Sequence, residues 1–179
     1  MKKVLVSTAV ISVLLAASAF ATEVSSGLVI GIDHSQVKEK DTSFTSSGTG
    51  VSIKWEKMSV YDNNVAFGSD FGFGRTSMDL GENGNTAIYT MSADFKLGYS
   101  PLSKLIGYGI VSANYQHIAY SVDPTNGWGY GYGAGVEYKV LDKIAVNLEY
   151  KTSKITATGD TRDISYTFNN AGLNLKYIF

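Results

Sequence analysis

The sequence predicts an all-β fold, eight antiparallel strands closed as an up-and-down barrel, and three observations carry that prediction. Apolar and polar residues alternate with period two along most of the chain, which is the periodicity of strands. Eight such segments occur, separated by polar stretches rich in Gly, Asn, Asp and Ser. Pro101 and Pro124 are the only prolines, and both fall outside the alternating cores. Eight antiparallel strands can close on themselves, which leaves no edge exposed.

Ahead of the first segment the chain reads MKKVLVSTAVISVLLAASAFATE. Lys2 and Lys3 precede an apolar run from Val4 to Ala17, and Ala19-Phe20-Ala21 has the small-x-small form of a cleavage site. This is the pattern of a secretory signal peptide over 1–21, and the run is shorter than the about 20 residues a spanning helix needs. The mature chain would begin at Thr22, leaving 22–179 as one domain. Taking Lys2 and Lys3 from the 15 basic residues leaves 13 against 16 acidic ones, so no basic excess points to nucleic acid. Cysteine is absent and only 17% of residues are charged, a low share for a surface that faces water.

The eight segments follow in order. The first, about 24–33, places Val24, Leu28, Ile30 and Ile32 on one face. The second, about 48–57, carries Val51, Ile53 and Trp55. The third, about 65–75, carries Val65, Phe67, Phe71 and Phe73. The fourth, about 87–99, alternates Tyr89, Met91, Ala93, Phe95, Leu97 and Tyr99. The fifth, about 105–118, has an ambiguous phase. The preferred one groups Val111, Ala113 and Tyr115 and sends Tyr108, Ile110 and Gln116 to the opposite face. The sixth, 128–140, is WGYGYGAGVEYKV, with glycine at every second position from Gly129 to Gly135. The seventh, about 144–154, carries Ile144, Val146, Leu148 and Tyr150. The eighth, about 165–179, ends in Leu173, Leu175, Tyr177 and Phe179.

The connections alternate in kind. Long polar stretches follow the first, third, fifth and seventh segments: HSQVKEKDTSFTSS, SMDLGENGNT, YSVDPTNGWG and TGDTRD. Tighter ones, SPLSK and LDK, follow the fourth and sixth, with KMSVYDNN intermediate. The two ends of the barrel are therefore expected to differ.

Alternation alone leaves open whether the apolar face lines a core, as in a soluble barrel, or meets lipid. Three observations, two on the polar face and one on the apolar face, favour lipid. The polar face carries Lys54 with Glu56, Asp94 with Lys96, Glu137 with Lys139, and Glu149 with Lys151, opposite charges at i and i+2 on one face, with Asp70 and Lys176 completing five acids and five bases. Such balance suits charges that neutralise one another in a narrow lumen. Gly68, Gly72, Gly74 and the sixth-segment glycines share that face. A solvated face gains nothing from them, whereas a lumen barely wide enough for side chains needs the room. Aromatics collect toward the two ends, with Trp55, Tyr99 and Phe179 at one and Phe73, Tyr89, Trp128 and Tyr150 at the other, like the girdles of membrane barrels. Charges on the apolar face, Lys57, Arg75 and Lys154, lie near predicted strand ends. A midplane Lys or Arg would cost about 2–4 kcal/mol. The fold expected is an eight-stranded antiparallel transmembrane β-barrel.

The carboxyl end, AGLNLKYIF, stops on Phe179, with Tyr177 two residues earlier and Leu175 and Leu173 alternating before it. Here the chain resembles the small bacterial outer-membrane β-barrels, the class of the OmpX, Ail and opacity-type proteins and the OmpA transmembrane domain. The glycine that family often carries five residues from the end is Asn174 here, with Gly172 two residues back on the same face. The resemblance implies location in the outer membrane, contact with its lipid and lipopolysaccharide, and a last strand (Leu173, Leu175, Tyr177, Phe179) read by the barrel-assembly machinery after escort by periplasmic chaperones. It also implies termini facing the periplasm and a monomer.

Chemistry is sparse. The glycines of the sixth segment do not match the dinucleotide fingerprint, since the sixth position from Gly129 is Ala134 and from Gly131 is Val136. Asp70-Phe71-Gly72 matches a kinase triplet in isolation. His34, in a predicted loop, and His117 are the only histidines, and no spacing suggests zinc. Asp33, Glu39 and Asp41 could hold calcium weakly. A lipid-modifying enzyme would have to draw on His117, Ser121 and Asp123. The preferred reading has no cofactor and no catalytic residue: a non-enzymatic barrel, its lumen closed by Lys–Glu and Lys–Asp pairs in the periplasmic half, acting in envelope structure, adhesion or binding of a surface ligand. A narrow porin-like channel past the glycine stripe and the lipid-A-modifying enzyme are the rivals.

Overall fold

The computed structural model describes residues 21–39, 45–79, 85–119, 125–158 and 163–179. The signal segment and its site at Ala19 and Phe20 lie outside the described residues, as do Asp41, Ser121 and Asp123. Eight strands run β1 (Glu23–Glu39), β2 (Thr45–Val60), β3 (Val65–Asp79), β4 (Asn85–Leu102), β5 (Leu105–Ala119), β6 (Thr125–Leu141), β7 (Ile144–Thr158) and β8 (Asp163–Ile178). Each pairs antiparallel with its sequence neighbours, and β1 pairs with β8 to close the barrel.

Closure is staggered. The register leads from Leu28 through Trp55, Phe71, Ala93, Ala113, Tyr130, Lys154 and Thr167 back to β1 at Lys38, ten residues further on. A stagger of this kind is what tilts the strands against the barrel axis and sets a lumen that side chains can fill.

The strands are longer than their alternation suggested. They run through most of the polar stretches expected to be loops, leaving residues 40–44, 80–84, 120–124 and 159–162 between strands at one end and 61–64, 103–104 and 142–143 at the other. His34 therefore stands on β1, facing out. Sixteen residues of tilted strand climb roughly 40 Å, well beyond an apolar band about 25 Å tall. The first and last described residues, Ala21 and Phe179, lie at the end with the tighter turns. There the Phe179 N–H donates to the Ser26 carbonyl at 2.9 Å.

Polarity inverts along the barrel. Over most of its height the exposed face is apolar, with Ile30, Ile53, Phe71, Leu97, Val111, Tyr132, Leu148 and Leu175 all outward. Toward the end away from the termini the outward residues become Gln36, Lys38, Ser47, Thr49, Ser77 and Thr156, and the inward ones become apolar. There Val37, Met78, Ile88, Ile118, Ile155, Ala157, Tyr166 and Phe168 pack into one buried cluster. Lipid outside and polar groups inside give way to the ordinary arrangement of a water-soluble barrel, because above the bilayer the outer face meets water.

The phase preferred for the fifth segment holds: Tyr108, Ile110, Ser112, Asn114 and Gln116 of β5 point inward and are buried. Trp55 stacks on Phe179 with ring centroids 5.2 Å apart, which fixes the aromatic girdle at the termini end. At the other end Tyr89 is paired across from Arg75, and Trp128 packs 4.8 Å from Tyr115. Phe73 and Tyr150, expected in that upper girdle, sit lower, two and four residues below Arg75 and Lys154.

Candidate functional site

The lumen is the only place where the described residues concentrate buried charge. Strand alternation aims one side chain in two inward, and the stagger brings those of all eight strands to a common level. Lys96 of β4 is its centre. Its ammonium contacts Glu56 of β2, Asp70 Oδ2 of β3 at 3.0 Å and Glu149 Oε1 of β7 at 2.7 Å. Glu149 also takes Lys54 of β2 through Oε2 at 2.6 Å and accepts the Tyr108 hydroxyl of β5 at 3.0 Å. The Tyr108 ring lies 4.7 Å from the Lys96 ammonium, a cation–π contact. Lys176 of β8 binds Glu56 Oε1 at 2.6 Å and Glu137 of β6 at 3.4 Å, and donates to Ser25 Oγ of β1 at 3.2 Å. Lys151 of β7 pairs with Asp94 of β4 at 2.6 Å.

Nine of the ten residues expected in the lumen charge set therefore meet in this network or in the Lys151–Asp94 pair. Lys139 departs from it. It stands two residues from the end of β6 and bridges to Glu23 at the rim, at 2.9 Å, where both remain partly exposed. Its nearness to the turn at 142–143 was the available signal. Five bases against five acids thus become four against five in the buried set. Lys96, Lys176 and Glu56 are almost wholly excluded from solvent, so each charge depends on its partners to be tolerated.

Three carboxylates, of Glu56, Asp70 and Glu149, bring oxygens within 4.8 Å of one another. The Lys96 ammonium already stands among them, supplying the cation that such a cluster requires. The calcium set of Asp33, Glu39 and Asp41 is corrected by the fold: Asp33 and Glu39 lie six residues apart on β1, roughly 20 Å of strand, too far to share an ion. His117 faces outward beside Tyr89, its Nδ1 2.8 Å from Asn126 Oδ1, which also accepts the Tyr115 hydroxyl at 2.9 Å.

Glycines make the network sterically feasible. A Cβ on Gly135 would stand 2.6 Å from the Tyr108 ring, and one on Gly72 would stand 2.7 Å from Lys54 Cγ. On Gly133 it would meet the Tyr150 carbonyl at 2.2 Å and Lys151 Cγ at 2.9 Å. Above the charges lies a polar cavity of about 70 Å³ lined by Asp33, Ser52, Thr76, Asn114, Gln116 and Asn170 among others. Above that the apolar cluster closes the mouth. Below, Met58, Ala66, Tyr108 and Ile110 form a second buried cluster.

The apolar closure at the far end was missed from sequence. Its signal was present: Val37, Met78, Ile88, Ile118, Ile155 and Phe168 all lie on the polar phase of their strands, near one end.

Known proteins agree with this architecture. The family model for the outer membrane protein beta-barrel domain matches residues 7–179. The crystal structure of Ail, the attachment invasion locus protein of Yersinia pestis, superposes with TM-score 0.59 at 16% identity, covering 88% of this chain and 100% of that one. Ail in complex with the heparin analogue sucrose octasulfate gives 0.60 at 17% identity, with the same coverage. Neisserial surface protein A gives 0.59 at 15% identity, covering 87% of this chain and 99% of that one. No curated protein matches in sequence. Likeness at these identities speaks for the fold alone, while the family match spans nearly the whole chain. With a closed eight-stranded barrel, a lipid-compatible outer face and a charged lumen, the chain belongs to the outer membrane protein beta-barrel domain family.

Proposed function

We propose that this outer-membrane barrel is neither a channel nor an enzyme and that it acts through its outer surface, in envelope structure, adhesion or the binding of a surface ligand. One observation carries this reading: the lumen is filled twice over, by the Lys96–Lys176 network in the lower half and by the Val37–Phe168 cluster at the outer mouth. An ion crossing it would have to break buried ion pairs and then pass an apolar closure, each opposed by desolvation. What remains for function is the polar outer cuff and the connections above it. One structural neighbour is named for attachment and invasion, which agrees with a role at the cell surface. In this reading the chain is exported on a peptide cleaved after Ala21, its last strand (Leu173, Leu175, Tyr177, Phe179) is the signal for the assembly machinery, and it works as a monomer without a cofactor.

Planar-bilayer recording of the purified barrel tests the closed lumen. Silence is expected, and a steady conductance would establish the porin-like rival. Mass spectrometry of lipid A from overexpressing cells tests the enzyme rival, with an unaltered spectrum expected.

A further inference from the structure

Between the ion-pair network and the apolar closure, the lumen opens into the polar cavity of about 70 Å³. One water needs roughly 10–15 Å³, so the space takes several, and a polar cavity of that size does not stay dry. Hydroxyls and amides line most of it, among them Ser52 of β2, Thr76 of β3, Thr90 of β4, Gln116 of β5 and Asn170 of β8. Gln116 is only 4% exposed, and its Oε1 has no protein partner; the Ser52 hydroxyl has none either. Buried acceptors are normally satisfied, so an unpartnered one on a cavity wall points to a ligand there. Asp33 of β1 enters the same space. Its Oδ1 reaches toward β8, 2.5 Å from where a Cβ on Gly172 would stand, so glycine at 172 is what admits it. No described residue forms an ion pair or hydrogen bond with that carboxylate.

The two lysines that line the cavity are already taken, Lys54 by Glu149 and Lys151 by Asp94, each at 2.6 Å. From the network up to the cavity, Lys54, Lys96, Lys151 and Lys176 stand against Glu56, Asp70, Asp94, Glu137, Glu149 and Asp33, four positive groups against six negative. Charges shielded from bulk water need compensation, so this lumen calls for cations. The room for one is beside Asp33. A single free carboxylate among neutral oxygens balances one positive charge, whereas calcium gathers several carboxylates and magnesium demands a near-ideal octahedron. We infer that the cavity seats one partly hydrated monovalent cation of the alkali class. The Asp33 carboxylate holds it, and Gln116 Oε1 and the hydroxyls bind it directly or through its waters. A narrow extension of about 20 Å³ continues upward from Ser35, Thr76 and Gln116 to Met78, Ile88 and Phe168. Entry is therefore from the outer mouth, past apolar side chains that slow exchange. Ion pairs close the floor, so the site is a dead end and conducts nothing.

The test is a titration of the folded barrel, in nonionic detergent, with thallium(I) nitrate followed by thallium NMR. Thallium(I) stands in for potassium, and the buffer cation is N-methylglucamine, which is too large for the cavity. Saturable uptake of one ion per barrel is expected, displaced by potassium. Asp33→Asn keeps the shape and removes the charge, and should weaken uptake about tenfold or more, since the charge of the ligand set governs affinity. Gln116→Leu removes the unpartnered oxygen and should weaken it severalfold. Lys139→Gln changes charge only at the rim and should leave uptake as it was. Uptake that never saturates, or saturable uptake that Asp33→Asn leaves intact, would overturn the site. Were Asp33→Asn not to fold, wild-type uptake by Gln116→Leu would overturn it instead.

Discussion

Lys96 sits where its loss should be felt most. Its ammonium is shared by Glu56, Asp70 and Glu149, and Asp70 has no other ion-pair partner among the described residues. Breaking a buried pair by removing one partner leaves an uncompensated charge and typically costs about 3–5 kcal/mol. Lys96→Met should therefore lower the unfolding free energy, read from urea titration of the lipid-reconstituted barrel, by an amount in that range. Lys139→Met removes a bridge at the rim that is already partly hydrated, and its effect should stay below about 1 kcal/mol. Equal losses in the two variants would mean that lumen burial does not set the worth of these charges. The sequence made the charge set legible because i, i+2 pairs share a face in any strand. It did not distinguish Lys139, because depth along the barrel depends on where the strand ends.

Among the strands, β6 is the most demanding in sequence. Its inward glycines leave space that neighbouring strands fill. Gly133→Leu has to displace the Tyr150 carbonyl, which is backbone of β7 and cannot rotate away. Gly107, on the outward face of β5, has nothing within 4 Å of where a Cβ would go. Gly133→Leu should accumulate unfolded, and Gly107→Leu should fold at wild-type yield, read from the folded fraction on a cold detergent gel. A well-folded Gly133→Leu would show the lumen to be wider than described and would revive the channel. Leu173, Leu175 and Tyr177 of β8, and Phe179 just past its end, are all exposed on the outer face. If that strand is the assembly signal, removing Phe179 should cut outer-membrane abundance in cells severalfold and leave refolding of the purified chain into detergent nearly unchanged. Phe179 touches only Trp55 and Tyr177 among the aromatic contacts and adds one terminal hydrogen bond.

The whole molecule is held by ladders between successive strands and by one long-range closure, β1 with β8. Closed barrels without edges resist detergent because every backbone donor inside the apolar band is paired. The boiled and unboiled protein should therefore run at different mobilities on a detergent gel, and identical mobility would contradict the closed barrel. The chain's alternation, its balanced inward charges and its aromatic carboxyl end determined the strand number, the outward lipid face and the phase of nearly every strand, since each follows from period two along a single segment. Strand ends, the place of Lys139 and the gathering of Val37 to Phe168 into one apolar closure emerged only in the tertiary structure. Each of these depends on height along the barrel axis. Height is set by the ten-residue stagger that closure imposes across eight strands, and no single segment records it.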